Sequence, residues 1–539
     1  MDPFDGWHTF TGWFKQSTPL VFQIGCKLQM LHLGWRATIS YTFTNQQVDK
    51  SAGGFPTASL NKVRRGTDVT RDDINRRRFL SGSTATILTS QLAARMCATV
   101  QAAESPAEAV RRQDLLQRAP ECYTDDWLRT NPDYVIYLPK TPGERDEYAD
   151  HIHVFYTPGG DLMCLWTQGT YESAPDMRVV YSRSRDGGRS WSPIQIIDEP
   201  KHKNVTPALG FPLISRSGRM YCLYNQNLGY TDQGLFNGPL RVKYSDDDGH
   251  TWIASGVDIP WRRTRFDHPD PKVSPTGIVW QQPIRDGKNR MIVGFTRWSS
   301  PMAYPRPVGG NRNHSDSQCE LMRFENIDDG PHPRDLKVTW LPDREGTIRV
   351  SPQIEPEASN GYSLAQEPGI ALLPDGRLFM TMRTVTGHIW YTVSEDHGHS
   401  WQTTQPLRYH DNGPKIEHPK SPEPLYRLED GRYLLFYHNH RGYRDGATGP
   451  WDMDARRPIY MTVGEFRPLA EQPIWFSRPK FLFDTQKVKV GLTQLWWLAM
   501  YASLTEHQGQ RTFWYSDRKQ FVLGKNISDE MLADMTVPS

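Results

Sequence analysis

Residue types suited to chemistry occur in three settings along this 539-residue sequence. "YHNHRGY" carries His438 and His440 at i, i+2, a spacing that puts both rings on one face of a strand and invites a metal reading. No carboxylate stands beside them, so a loop that binds a sugar by stacking and hydrogen bonds fits the pair equally well. Of six cysteines, Cys122, Cys164, Cys222 and Cys319 follow the first hundred residues, and their spacing matches no zinc pattern. Cys164 and Cys222 sit in apolar runs, where a plain buried thiol is the expected role. The third setting is "YSRSRDGGRSW", in which Ser184, Asp186, Gly188 and Trp191 follow the spacing S-x-D-x-G-x-x-W. Each of its residues has a turn job: Asp accepts backbone N–H bonds, Gly takes a positive φ, and Trp folds back as an apolar plug. No motif calls for a metal or cofactor.

The elements that must position any site come from repetition. The box returns as "YSDDDGHTW" (Ser245, Asp247, Gly249, Trp252) and "TVSEDHGHSW" (Ser394, Asp396, Gly398, Trp401). Between the boxes the chain turns six times around a glycine, at Gly160, Gly218, Gly287, Gly376, Gly431 and Gly509, and then enters a short β-branched, aromatic or Leu/Met-rich run. Such runs read as buried strands. Six units at this spacing predict an all-β, six-bladed β-propeller of four-stranded antiparallel blades with the boxes as turns, over residues 136–525. Segment 104–135 leads into it and 526–539 is a tail. "SSPMAYPRPVGGNRNHSDSQ" in the widest interval is loop by composition, placed to cover one end of the propeller. Ligands of a propeller are expected at one mouth of its central channel.

The beginning of the chain reads differently. "NRRRFLSGSTATILTSQLAARMCATVQAAES" has paired Arg76 and Arg77, then Phe79 and Leu80 at the spacing of a twin-arginine export signal, with small residues near Ala102 and Ala103 suited to cleavage. Residues 71–103 are therefore expected to be a signal peptide, and 1–70 a mis-assigned or disordered extension. Residues 1–103 hold twelve Lys and Arg against six Asp and Glu, which leaves the remainder at a formal −4. A mildly acidic domain of this kind does not bind nucleic acid through its overall field. No stretch of the propeller region is apolar enough to span a bilayer. The expectation is a periplasmic or secreted protein, off the membrane after cleavage.

The boxes, the blade count and "QEPGIALLPDGRLFMTMR" together resemble the sialidase superfamily with its BNR or Asp-box repeats, across roughly residues 145–520. That resemblance implies a site. Glu367 and Arg383, sixteen residues apart, match a Glu that polarises a tyrosine nucleophile and an Arg that grips a substrate carboxylate. "MYASLTEHQG" resembles the nucleophile segment and makes Tyr501 the candidate, while "RRPIYMTVGEF" points to Arg457 over its neighbour Arg456 as a second carboxylate-binding arginine. The acid/base position is Glu172, with Asp176 as the alternative. One departure stands out: where the family has its first Arg, "YADHIHVFYTPGGD" has Asp150, His151 and His153. His151 or His153, or Arg297 from "VGFTRW", is the candidate to fill that gap.

The chemistry fits those residue types. An oxocarbenium-like transition state needs one group to protonate the leaving oxygen and another to capture the anomeric carbon. A neutral Tyr avoids repulsion by a sugar carboxylate, and a close Glu makes it nucleophilic by taking its proton. Arginines clamp a carboxylate bidentately. The expected activity is glycoside hydrolysis of an acidic or complex glycan. The alternatives are a non-catalytic carbohydrate- or protein-binding propeller, since fold does not fix function, and a polysaccharide lyase with a Tyr or His base.

Overall fold

In the computed structural model the described residues are 6–12, 20–31, 34–45, 106–201, 205–228, 238–303, 316–350, 363–498 and 500–539. The chain divides into two compact units, Met1–Ala103 and Glu104–Ser539. In the first, strands Gly6–Gly12, Leu20–Leu31 and Gly34–Asn45 pair antiparallel in sequence order. The twin-arginine stretch, its cleavage region and most of the loop between Ser300 and Ser317 lie outside the described residues.

The second unit is the expected propeller. A helix, Pro106–Arg118, and a 3-10 turn, Asp126–Thr130, lead into strand Tyr134–Tyr137. Blade one is Tyr148–Tyr156, Leu162–Gly169, Arg178–Ser184 and Gln195–Asp198. Blade two is Thr206–Ile214, Met220–Asn227, Leu240–Ser245 and Ile253–Ile259. In blade three the first strand is broken into Thr276–Ile278 and Ile284–Arg285, both paired to Met291–Trp298, followed by Ser317–Phe324 and Val338–Leu341. Blade four is Gln366–Leu372, Leu378–Arg383, Trp390–Ser394 and Gln405–Pro406. Blade five is Leu425–Arg427, Tyr433–Tyr437 and Ile459–Phe466, with Ile474–Phe476 and Lys480–Phe483 sharing the outer position. Blade six takes Ser503–His507, Gln510–Asp517 and Phe521–Asn526 from the end of the chain and Tyr134–Tyr137 from its beginning as the outer strand. That exchange ties the two ends of the second unit together and closes the ring, leaving only short outer edges.

Each glycine turn joins the first strand of a blade to its second. Because blades pack on both faces, strands such as Tyr433–Tyr437 are buried at every residue, which is why they read as continuous apolar runs rather than alternating ones. Six large apolar clusters fill the spaces between successive blades. Phe436, Met461, Phe513 and Tyr515, for example, lie between blades five and six, and Ile136, Val154, Trp166 and Trp514 between six and one.

The boxes are built as expected. In the first, Gly188 N–H donates to Ser184 Oγ at 2.8 Å, and Ser190 donates through its N–H and its hydroxyl to the Asp186 carboxylate at 2.9 and 2.5 Å. The same bonds recur around Asp247 and Asp396. The box tryptophans reach toward the preceding blade: Trp191 meets Trp514 edge-on at 5.7 Å, Trp252 meets Tyr181 at 6.2 Å, and Trp401 joins the cluster between blades three and four. Gly188 has φ +90°, and a Cβ there would lie 2.6 Å from Trp514, so both turn geometry and inter-blade contact exclude a side chain. Cys164, Cys222 and Cys319 are buried free thiols, and Cys122 is free and half-buried.

Candidate active site

The site forms at the end of the propeller where the first strands begin and the second strands finish. Glu367 is the second residue of its blade's first strand and sits on a bulge, at φ +48°, where the register shifts between Gln366 and Gly369. A bulge re-aims a side chain, and here the carboxylate meets Tyr501 and Arg383. Tyr501, just before the first strand of blade six, donates its hydroxyl to Glu367 Oε1 at 2.8 Å. Arg383, the last residue of the neighbouring strand, holds Glu367 Oε2 at 2.6 Å and is itself braced by Gln366 Oε1. All three side chains are buried. Burial and the charge of Glu367 push the Tyr501 phenol well above its usual pKa, against the pull of Arg383 and Arg456.

His151 occupies the equivalent bulge in blade one, at φ +55°, with its ring 4.3 Å from that of Tyr501. Burial, and secondarily the charge of Lys519, lowers its pKa to about 3, so the imidazole is neutral. His153 does not border the gap. The bulge between Asp150 and His153 breaks the two-residue alternation, and His153 is buried in the blade with neither ring nitrogen hydrogen-bonded.

Two of the expected arginines are engaged elsewhere. Arg457 donates to Asp484 at 2.8 and 2.5 Å and pairs also with Asp445. Its neighbour Arg456 takes the place expected of it: fully buried, anchored by Nε to the Lys420 carbonyl at 2.8 Å, its guanidinium 5.0 Å from the Trp497 ring centre, and within electrostatic reach of Tyr501, Arg383, Glu367 and Glu172. Arg297 is buried between Glu320 (2.6 Å) and Asp267 (2.9 Å) and serves as a structural cross-link. Asp176 braces its own loop by accepting from the Thr170 N–H and hydroxyl. Glu172, the other member of that loop, pairs with Lys519 Nζ at 2.6 Å. Partial desolvation works to raise its pKa, but the charge and hydrogen bond of Lys519 outweigh that and hold it lowered.

A family model for the BNR repeat-like domain matches residues 160–490. The chain belongs to that family. No curated protein matches it. Among solved structures, this BNR-repeat propeller is similar to the NanB sialidase of Streptococcus pneumoniae (11% identity, 76% of this chain and 73% of that one, TM-score 0.49). It is similar also to an intramolecular trans-sialidase from Ruminococcus gnavus (13%, 74% and 97%, 0.47) and to the α-L-arabinofuranosidase Arb93A of Fusarium graminearum (14%, 75% and 98%, 0.45).

The surroundings of several groups in the BNR propeller's site escaped the sequence reading. Asp150, entirely buried, has its carboxyl pKa raised to about 6 by burial, offset in part by Lys519 at 3.2 Å. Glu423 is buried near Glu367, and burial first, then that charge, raises its pKa well above the carboxylate range. Lys420 is lowered well below the usual lysine range by burial and by Arg383 and Arg456. His438 and His440 are hydrogen-bonded to the carbonyls of Pro458 and Arg457 at 3.0 and 2.9 Å. Asp150, His438 and His440 were visible in the sequence by their spacing and context; of the others, Lys519 alone had a signal. "SDRKQF" makes a hairpin turn with no Gly or Asn, an unusual composition for residues that need positive φ.

Proposed function

We propose that this chain is an exported glycoside hydrolase acting on an acidic glycan, with Tyr501 as nucleophile. The single observation that carries this reading is the 2.8 Å hydrogen bond from Tyr501 to Glu367, whose other oxygen is held by Arg383. In the buried site the phenol is neutral, so it presents no charge to an acidic sugar. As the glycosidic bond breaks, Glu367 takes the phenolic proton and Tyr501 captures the anomeric carbon. Arg383 and Arg456 offer two guanidinium groups to the substrate carboxylate. Glu172 is the acid/base: it lies in the wall of a cavity of about 250 Å³ with Tyr148, Thr170 and Trp497. Its pairing with Lys519 suits the step in which a carboxylate activates water, and the protonating step requires that pair to loosen.

A lyase reading is favoured by one feature, the neutral His151 ring against Tyr501, since either group can serve as base beside a uronate. The test is to assay the protein on aryl glycosides of sialic acid, uronic acids and neutral sugars, and on acidic polysaccharides. Hydrolysis abolished by Tyr501→Phe, with thermal stability retained, supports the hydrolase; unsaturated products support the lyase. Absence of both products removes catalysis.

A further inference from the structure

The turn that joins the second and third strands of blade six is closed by the Gln520 N–H donating to the Asp517 carbonyl at 3.0 Å, with Arg518 and Lys519 as its central residues at φ +53° and +57°. Two consecutive side-chain-bearing residues in the left-handed region are a strained choice where Asn-Gly is the usual solution, and such strain gathers at functional sites. Arg518 is accounted for by the fold. It pairs with Asp517 at 2.8 Å and donates to the carbonyls of Val488 and Asp126 at 3.1 and 2.7 Å.

Lys519 is different. Its carbonyl accepts the Ala149 N–H at 2.8 Å, which ties the turn to the first strand of blade one. Its side chain is 3% exposed, and its ammonium is 2.6 Å from Glu172, 3.2 Å from Asp150, and 5.5 to 5.9 Å from the ring centres of Tyr148, Trp497 and Tyr501. Glu172 itself is 45% exposed, so half of the lysine's neutralisation comes from a carboxylate facing solvent and the 250 Å³ cavity, whose wall Lys519 shares. An ammonium has three donors; one is given to Glu172, and Asp150 adds an ion pair. On the first strand of blade one, the neighbouring His151 supplies no positive charge.

We propose that Lys519 is a specificity-determining residue, a third cation beside Arg383 and Arg456, which binds the carboxylate of an acidic sugar entering this cavity by exchanging its contact with Glu172 for one with the ligand. This deepens the hydrolase reading and rests on it for the substrate class. The exchange has a consequence for Glu172: a ligand carboxylate that takes the ammonium leaves Glu172 without its counter-charge, ready to accept a proton. Selection of an acidic sugar and readiness of the acid/base group then depend on one residue.

The experiment measures binding rather than turnover, so that its failure is distinct from failure of the hydrolase reading. The full chain is titrated calorimetrically with N-acetylneuraminic acid, D-glucuronic acid and methyl glucoside. Binding of one or both acids, and not of the neutral sugar, is expected, and the stronger acid identifies the sugar class. Lys519→Met should weaken the acid by roughly ten- to a hundred-fold, the worth of a hydrogen bond to a charged group, and Lys519→Arg should restore most of it. Glu172→Gln, which frees the ammonium, should tighten acid binding, a gain that damage to the fold does not produce. Equal affinity of the Met variant and the parent, weaker acid binding by Glu172→Gln, or no acid binding by the parent overturns the proposal. Acid binding with no hydrolysis of any glycoside leaves it standing and removes the hydrolase instead.

Discussion

Adjacent arginines with opposite fates show how finely the site is set. Arg456 and Arg457 are chemically identical, yet one faces Tyr501 and Glu367 while the other is committed to Asp445 and Asp484. Their substitutions should separate accordingly. Arg456→Met should lower kcat/KM on acidic glycosides by roughly a hundred-fold, as loss of a charged transition-state contact does, with the melting temperature little changed. Arg457→Met should leave the kinetics of the folded fraction alone and destabilise by roughly 1 to 3 kcal/mol, because Asp484 loses its bidentate partner and Asp445 one of its three cations. Denaturant unfolding beside steady-state kinetics distinguishes the two, and reversed results would exchange the roles assigned here.

At the scale of elements, the boxes hold blades to one another and carry no chemistry. Asp186 lies at the surface of its turn and caps the Ser190 N–H and hydroxyl. Asp186→Ala should therefore cost about 1 kcal/mol, in the range of one exposed charge-assisted hydrogen bond, with activity per folded molecule unchanged. Gly188→Ala should cost more. It adds a strained φ and a collision with Trp514 in the neighbouring blade, and the loss should appear as a larger fall in the urea midpoint. A box variant that is fully stable yet inactive would contradict the scaffold role.

For the whole molecule, acid should be the sensitive direction. His151, His153 and His418 are all held to about 3, foremost by burial. The folded state thus keeps them neutral while the unfolded chain takes protons below about pH 6.5. Their contribution to stability is full above that value and declines as pH falls toward 3. The Asp247 box, lowered to about 2 chiefly by the Thr251 hydroxyl, extends the decline, since an unfolded Asp protonates near pH 4. Thermal unfolding between pH 8 and pH 3 should show a melting temperature that falls from about pH 6.5 downward; a flat profile would mean that the histidines are solvated. The expected export signal is testable at the same scale. Replacing Arg76 and Arg77 with Lys should retain the protein inside the cell, and the mature N-terminus should lie near residue 103. Residues 1–60 found on exported protein would refute it.

The blades were legible in the sequence because each box and glycine turn is a local structure: Ser, Asp, Gly and Trp within eight residues satisfy one another's hydrogen bonds wherever they occur. Glu367, Arg383 and Tyr501 were legible through the family motif, and the fold brings Tyr501, from the start of blade six, to the other two on blade four. What local spacing did not reveal depended on long-range partners. Arg297 is silenced by Asp267 and Glu320, thirty residues before it and on the adjacent strand. His153 is separated from His151 by a bulge that no alternation pattern predicts. Arg456 replaced Arg457 because acids in one earlier and one later segment, Asp445 and Asp484, claim the second guanidinium. Lys519 gains its meaning from Asp150 and Glu172, more than three hundred residues earlier, and it can meet them only because blade six closes on blade one. Turn chemistry is a property of consecutive residues, so the sequence by itself determined the repeat. The pairing of buried charges depends on which strand ends meet around the axis, and that was decided by the closed tertiary structure alone.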